Sequence, residues 1–374
     1  MGDIRIVEVT SQEQIKTFAR FPFQIYKNNP NWVPYIIADE MKALKRDTNP
    51  AYEFCDASFW LAYRGNDCVG RIGAIINRLY NEKMGEPIGR FSRAEFIDDK
   101  EVSRVLFSTA EAWLKERGMT KVLGPLGFNN LDNQGMLIEG FDHLAAVGSV
   151  YHMHYYKNHL EQLGYEKEID WVEFKLTITD VPEKALRLNE VIKKRFGVKV
   201  ISFTSKKEMN KYTPKIFSLL NEAFDELPFV SPFPPALIEF YAKKYANFLV
   251  PRFVKVILND KDEMVAFIIC LPTISRALQK TKGKLFPFGF RHIMKALKNP
   301  QGYELLLTGI NPKLQGQGIS ALLISELQKE MLRAEGRWVE TTGIFETNHK
   351  AIEHWKNYEN IQHKRKRCFR KEIG

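Results

Sequence analysis

The sequence predicts an α/β (α+β) chain built from two domains, and three observations carry that expectation. Its 374 residues exceed what one ordinary core organises. Strand-like runs alternate with amphipathic helical stretches along the whole length. The order of these elements in residues 1–178 is similar to their order in residues 179–374. A hydrophobic content of 44% with 27% charged residues belongs to the soluble globular class.

In the first half, residues 4–9 read as a strand and residues 12–28 as a helix. Residues 58–63 and 69–76 form a hairpin across Gly65-Asn66-Asp67. A strand at 89–96 leads into a helix from Lys100 to Arg117, and Lys121 starts another strand. A helix and glycine turn at 155–165 and a strand at 169–176 close this half. The boundary is placed at Thr179-Asp180-Val181-Pro182, giving domains 1–178 and 179–374.

The second half opens with a strand at 199–203, then helices near 212–225 and 235–245. Strands follow at 253–258 and 264–272, joined by the turn 259–262. Residues 276–299 form a basic insertion containing glycine and phenylalanine. A strand at 303–310 comes next. Ile319, Leu322, Leu323, Leu327 and Met331 then recur at helical spacing. A strand reaching Ile344, a helix from about Asn348 and a last strand end the chain.

Between the strand at 303–310 and its helix stands Gln315-Gly316-Gln317-Gly318-Ile319-Ser320. A strand, a glycine turn and a helix start leave backbone N–H groups aimed at one point, and the helix dipole favours an anion there. No Gly-Lys-Ser/Thr ending makes this a P-loop, and a dinucleotide fingerprint would need three glycines and an acidic residue at the end of the next strand, where residues 337–342 carry Glu340 in the middle. The segment resembles the Gln/Arg-x-x-Gly-x-Gly/Ala loop of the GNAT acyltransferases, with Ser320 at the final small position. The element order of each half resembles the whole GNAT fold. The resemblance implies tandem GNAT-like domains, each a mixed, mostly antiparallel twisted sheet flanked by helices. Similar tandems occur among mycothiol synthases, Fem peptidoglycan transferases and N-myristoyltransferases. Asn31-Trp32-Val33-Pro34, Gly124-Pro125 and residues 135–142 resemble an uncharacterised bacterial two-domain GNAT family.

That resemblance implies acetyl-CoA or another acyl-CoA as co-substrate, with its pyrophosphate on Gln315, Gly316, Gln317, Gly318, Ile319 and Ser320. It also implies that backbone groups of Thr308 and Ile310 hold the pantetheine arm and polarise the thioester. The family's closing helix, Asn-x-x-Ala-x-x-x-Tyr, reads here Asn348-His349-Lys350-Ala351-Ile352-Glu353-His354-Trp355. Asn348 is therefore expected near the cofactor. Trp355 replaces the usual proton donor, and Tyr358, about a turn further on, is the candidate acid. The first half lacks the loop, and its Ile97-Asp98-Asp99-Lys100-Glu101 would repel a pyrophosphate. It is expected to shape the acceptor pocket.

Other chemistry is less specific. Glu304 and Glu346 flank the cofactor strand, and surface solvation is the expectation for both. His349 and His354 are five apart and share no helix face. His152, His154, Tyr155, Tyr156 and His159 rank as packing first, acceptor lining second and metal ligands last, and no metal is expected. The basic stretch from His363 to Lys371 reads as a terminal strand with charges on its open face. Cys55, Cys68, Cys270 and Cys368 lack metal or redox spacing. Residues 1–5 lack signal-peptide features, and after Met1-Gly2 no Ser or Thr stands where Ile6 or Val7 lies. No apolar run reaches the length of a span. A cytoplasmic protein without a membrane partner is expected. The leading expectation is transfer of an acyl group to a small-molecule or peptide amine by direct attack in a ternary complex. The alternatives are a Fem-like transferase using aminoacyl-tRNA, which the charge of +10 favours, and a non-catalytic acyl-CoA-binding protein.

Overall fold

The computed structural model describes residues 3–355 and 358–374. Met1 and Gly2, weighed above as an acylation signal, lie outside them. The chain divides into two compact units. Unit 1 is Met1–Val172 with Leu278–Leu285 and His363–Gly374, and unit 2 is Glu173–Ala277 with Phe286–Gln362. The chain thus changes unit inside two strands, while the boundary read at 178/179 falls just past the first of them.

Unit 1 contains β1 (Ile4–Glu8), β2 (Cys55–Arg64), β3 (Asp67–Asn77), β4 (Ile88–Phe96), β5 (Lys121–Gly124) and the short β6 (Met136–Glu139). Strands β1 to β5 are neighbours in sequence order, antiparallel except for the parallel pair β4/β5. The final strand of the chain, Asn360–Glu372, lies antiparallel to β5, with Phe369 opposite Gly124. Helix Lys100–Lys115 buries Val102, Leu106, Phe107, Ala110 and Leu114, at spacings of three and four, in a core with Trp60, Ile72, Phe91 and Phe96. A Cβ at Gly89 would meet the Leu114 side chain at 2.6 Å, so helix and strand approach closely here and a larger residue would make Leu114 shift. The helix expected over 12–28 is two pieces, Gln12–Arg20 and Pro22–Ile25. Pro22 has no N–H for the ladder and starts a new turn.

Unit 2 repeats the plan. It receives the end of β7 (Glu166–Thr177) and contains β8 (Lys199–Ser202), β9 (Val254–Leu258), β10 (Met264–Pro272), β11 (Gly302–Ile310) and β12 (Trp338–Thr341). Their order is β8-β9-β10-β11-β12-β7, antiparallel except for the parallel pair β11/β12. Helix Glu183–Phe196 was not expected. Its Leu188 and Val191 are exposed while Asn189 and Ile192 are buried, so apolar residues do not mark one face. Of the insertion at 276–299, helix Gly289–Lys298 lies in unit 2, while helix Ser275–Thr281 begins in unit 2 and ends in the segment Leu278–Leu285 of unit 1.

The basic C-terminal run is woven into unit 1 and is not an open charged face. His363, Lys364 and Lys366 are buried. Asp170, also buried, accepts from Arg367 Nε at 2.8 Å, Arg367 Nη2 at 3.0 Å and Arg365 Nη1 at 3.2 Å. Burial pushes this carboxyl up, but the guanidinium of Arg367, with Lys167 and Arg365, holds it below the usual range. A lowered pKa stabilises the fold above the unfolded-state value and is lost as pH falls through the folded one. Asp170→Asn is expected to cost about 3 kcal/mol at neutral pH, read as a lower denaturation midpoint in urea. The loss relative to wild type should shrink as both are taken to acid.

Candidate functional site

The geometry of β11 follows from one irregularity. Ile269 pairs with Leu307 but Cys270 pairs with Leu305, so Leu306 is an extra residue and β11 carries a bulge. The bulge reverses the phase of the backbone. Before it, Leu305 C=O accepts from Thr342 N–H, beyond β12, at 3.2 Å. After it, Asn311 N–H returns to Val265 C=O of β10 at 2.9 Å. Antiparallel alternation then turns the N–H and C=O of Thr308 and Ile310 away from β10. Pairing with β12 stops at Leu305 opposite Thr341. Thr308 and Ile310 therefore face the gap where β11 and β12 part. Among the described residues one bond reaches these groups, from Gln315 Nε2 to Ile310 C=O at 3.3 Å.

The loop continues from this edge. Asn311 Oδ1 accepts from Lys313 N–H at 3.1 Å, and its Nδ2 donates to Glu222 Oε1 at 2.9 Å. Gln317 Nε2 donates to Lys313 C=O at 2.7 Å, so both glutamine side chains brace the loop. Gly316 and Gly318 hold φ of 75° and 88°, which strains any residue with a Cβ. An added Cβ would meet open space at Gly316 and Ile192 Cδ1 at 2.7 Å at Gly318. Gly318 is the N-cap of helix Ile319–Arg333, and no side chain caps this end. The first ladder bond joins Leu322 N–H to Gly318 C=O at 3.2 Å. The N–H groups of Ile319, Ser320 and Ala321 precede it and point out of the helix start. Buried Ile319, Leu322, Leu323, Leu327 and Met331 hold the helix in place, as their spacing predicted.

Unit 1 has the same bulge. Gly73 pairs with Ser92 and Arg71 with Glu95, so Arg93 and Ala94 share one partner position, with Arg93 at φ 52°. Ile97 N–H returns to Val69 C=O at 3.0 Å, as Asn311 does, which makes Phe96 the counterpart of Ile310. Here the turned-out groups are occupied. Phe96 N–H donates to Tyr156 Oη at 3.2 Å, and Tyr155 Oη donates to Phe96 C=O at 2.6 Å. The helix start is occupied too, since Asp99 Oδ1 accepts from Glu101 N–H at 2.9 Å and Val102 N–H at 3.2 Å. A carboxylate of the chain itself stands where an anion would bind.

The other candidates are dispersed. Asn348 is exposed and caps helix His349–Trp355, its Oδ1 accepting from Ala351 N–H at 3.1 Å. Trp355 is buried, and half-buried Tyr358 packs on it with ring centroids 5.9 Å apart. Burial raises the Tyr358 phenol above its ordinary range. Glu304 is not solvated: it is buried and accepts from Thr273 Oγ1 at 3.1 Å and Ser275 Oγ at 3.4 Å. Glu346 is half-buried, and the side chain of His354 lies outside the described residues. His159 sits between Ser103 Oγ and Asp98 Oδ1, each at 2.8 Å, and His152 Nδ1 accepts from Leu137 N–H at 3.1 Å. Burial, with Lys366 and Arg71, pushes the His152 imidazole down to about 3.

A buried acid in unit 1 escaped the sequence reading because its partners are far away along the chain. Glu95 accepts from Tyr26 Oη at 2.6 Å and Tyr156 Oη at 2.8 Å. Burial pushes its carboxyl up to about 7, against the pull of Arg71 and the two phenols. A raised pKa means that folded unit 1 holds this proton more tightly than the unfolded chain. The stability from that difference is complete below the ordinary value of 4.5 and is lost as pH rises through about 7. Glu95→Gln should remove that slope, seen as a flatter dependence of Tm on pH across this interval. An unchanged dependence would assign the slope to other groups.

No family model matches the chain. Over 348 residues it is 31% identical to Protein YghO of Escherichia coli (strain K12), covering 90% of this chain and 87% of that one. Over 321 residues it is 29% identical to Bacterial ceramide synthase of Caulobacter vibrioides, covering 84% and 82%. Among solved structures, the tandem GNAT protein from the clavulanic acid biosynthesis pathway matches with a TM-score of 0.57 and 14% identity, covering 100% of this chain and 99% of that one. At that identity the likeness is one of fold, and the fold is a tandem GNAT fold, as the sequence resemblance implied.

Proposed function

This chain belongs to the family of Protein YghO of Escherichia coli, and from that footing we propose that it is an acyl-CoA-dependent N-acyltransferase. One contrast carries the reading. The backbone N–H groups that Tyr156 and Asp99 occupy in unit 1 have open counterparts in unit 2, at the N–H of Ile310 and at the start of helix Ile319–Arg333, while the C=O of Ile310 meets only the side chain of the loop's own Gln315. The co-substrate is acetyl-CoA or a longer acyl-CoA. Its pyrophosphate would rest on the N–H groups of residues 316–321, and its pantetheine arm along Thr308 and Ile310.

In this reading the acceptor amine attacks the thioester carbonyl directly, its nitrogen bonding to the acyl carbon. The carbonyl oxygen takes up negative charge, which a backbone N–H of β11 stabilises. The C–S bond then breaks, giving an amide and the CoA thiolate. Tyr358, kept protonated by burial, is the proposed donor of a proton to the thiolate, while the amine proton leaves to water. The likeness to Bacterial ceramide synthase favours a long-chain amino alcohol as acceptor, because a ceramide is the N-acyl product of such an amine. The free cysteines support a reducing compartment, and we place the protein in the cytoplasm. No helix among the described residues is long and apolar enough to cross a membrane.

Acyl-CoA binding should raise Tm, and Gly318→Glu should abolish that shift by adding bulk and charge at the helix start. Failure of acetyl-CoA and longer esters to shift wild type would remove the proposal. A shift with aminoacyl-tRNA instead would favour the Fem-like alternative. Free thiol release should require both acyl-CoA and an amine, and a long-chain amino alcohol should outperform short amines. Binding with no release for any amine would leave a non-catalytic acyl-CoA-binding protein. Tyr358→Phe should lower kcat roughly a hundredfold with little change in KM for acyl-CoA. Unchanged kcat would relocate the acid.

A further inference from the structure

In unit 2 the segment 286–298 keeps large apolar side chains in water. Phe286 is 81% exposed, Phe288 65%, Phe290 43% and Met294 57%. Four such side chains within one short segment form a patch, in contrast to the scattered apolar residues of an ordinary surface. The rings of Phe286 and Phe290 lie 6.4 Å apart, and the guanidinium of Arg291 lies 5.4 Å from the Phe288 ring centre.

Helix Gly289–Lys298 orders its side chains in three adjacent rows. Ile293 and Leu297 are buried. Phe290 and Met294, one turn apart, form the next row round the helix. Arg291, Lys295 and Lys298, all exposed, form the row beyond. The sequence contains no acidic residue between Glu263 and Glu304. Going round the surface, protein core gives way to exposed hydrocarbon and then to uncompensated positive charge.

We propose that this segment is a membrane-surface anchor for an anionic bilayer. Phe286, Phe288, Phe290 and Met294 enter the boundary between headgroups and acyl chains, and Arg291, Lys295 and Lys298 meet lipid phosphates. A nucleic-acid duplex would neutralise the cations and leave the apolar row in water. An apolar protein groove would cover the row and leave the cations unneutralised. A bilayer has hydrocarbon directly beneath a layer of negative charge and takes both rows at once. That no helix among the described residues is long enough to span a bilayer does not bear on a helix lying in the plane of the surface. The proposal is independent of the acyl-transfer reading.

Co-sedimentation of the full chain with vesicles tests it, using phosphatidylglycerol with phosphatidylcholine against phosphatidylcholine alone. The expected result is binding to the anionic vesicles that falls roughly tenfold at about 0.5 M salt. Phe286→Ser, Phe288→Ser and Met294→Ser combined should lose at least tenfold in bound fraction. So should Arg291→Glu with Lys295→Glu. Both variants change exposed side chains, so an unaltered Tm shows that the fold is kept. Wild type remaining in the supernatant with anionic vesicles overturns the proposal. So does a serine variant that binds as well as wild type, which would mean adhesion by charge alone. Light scattering closes the remaining case: a wild-type dimer that the serine variant splits, without vesicle binding, makes the patch a contact between copies and rejects the anchor.

Discussion

The hydrogen-bonding phase of β11 is the constraint on which the rest of the site depends. Each residue of a strand offers its N–H and C=O to one side only, and successive residues alternate. Without a bulge, Thr308 and Ile310 would pair with β10, and no peptide groups would be available at the parting of the strands. The extra residue at Leu306 shifts the phase by one. That shift leaves two peptide groups without a ladder partner, and the loop that follows leaves the first N–H groups of a helix uncapped. Groups left so in a folded protein must meet water, side chains or a ligand.

Unit 1 answers the same requirement internally. Its bulge at Arg93 makes the same shift, but two tyrosine hydroxyls reach Phe96 and a carboxylate reaches the helix start. Those plugs are themselves supported from below: the Tyr156 hydroxyl that accepts from Phe96 also donates to Glu95, which accepts from Tyr26 as well. The polar cluster is therefore tied to the bulge. Such a network is favourable only while every member keeps its partner, which accounts for the burial of an acid among aromatic rings.

Much of this was legible in sequence. The strand, loop and helix from Tyr303 to Met331 follow from a continuous apolar run, two glycines and a periodic apolar stripe, and all three signals are local. The acidic stretch at 97–101 was read as hostile to phosphate, and the physical form of that hostility is Asp99 bonded to the helix start. Neither bulge was legible, because a bulge is set by cross-strand register and not by composition. Glu304 and Glu95 were misjudged or missed because their partners, Thr273, Ser275, Tyr26 and Tyr156, are 29 to 69 residues away along the chain. Helix Glu183–Phe196 was missed because its apolar residues are divided between core and solvent.

The two parts of the candidate site differ in what carries them. The loop and the strand edge act through peptide groups, which any side chain at Thr308, Ile310 or Ser320 would also present. Only Gly316 and Gly318 are constrained by identity, through their positive φ. A backbone site of this kind tolerates wide sequence divergence, provided that bulge and glycines remain. Proton transfer is different, since it needs a titratable side chain at a fixed place. At the usual place stands Trp355, whose indole has no acid to offer near neutral pH. The nearest phenol, Tyr358, packs against that indole ring. Recognition of a common co-substrate can thus persist while the chemistry and the acceptor change around it.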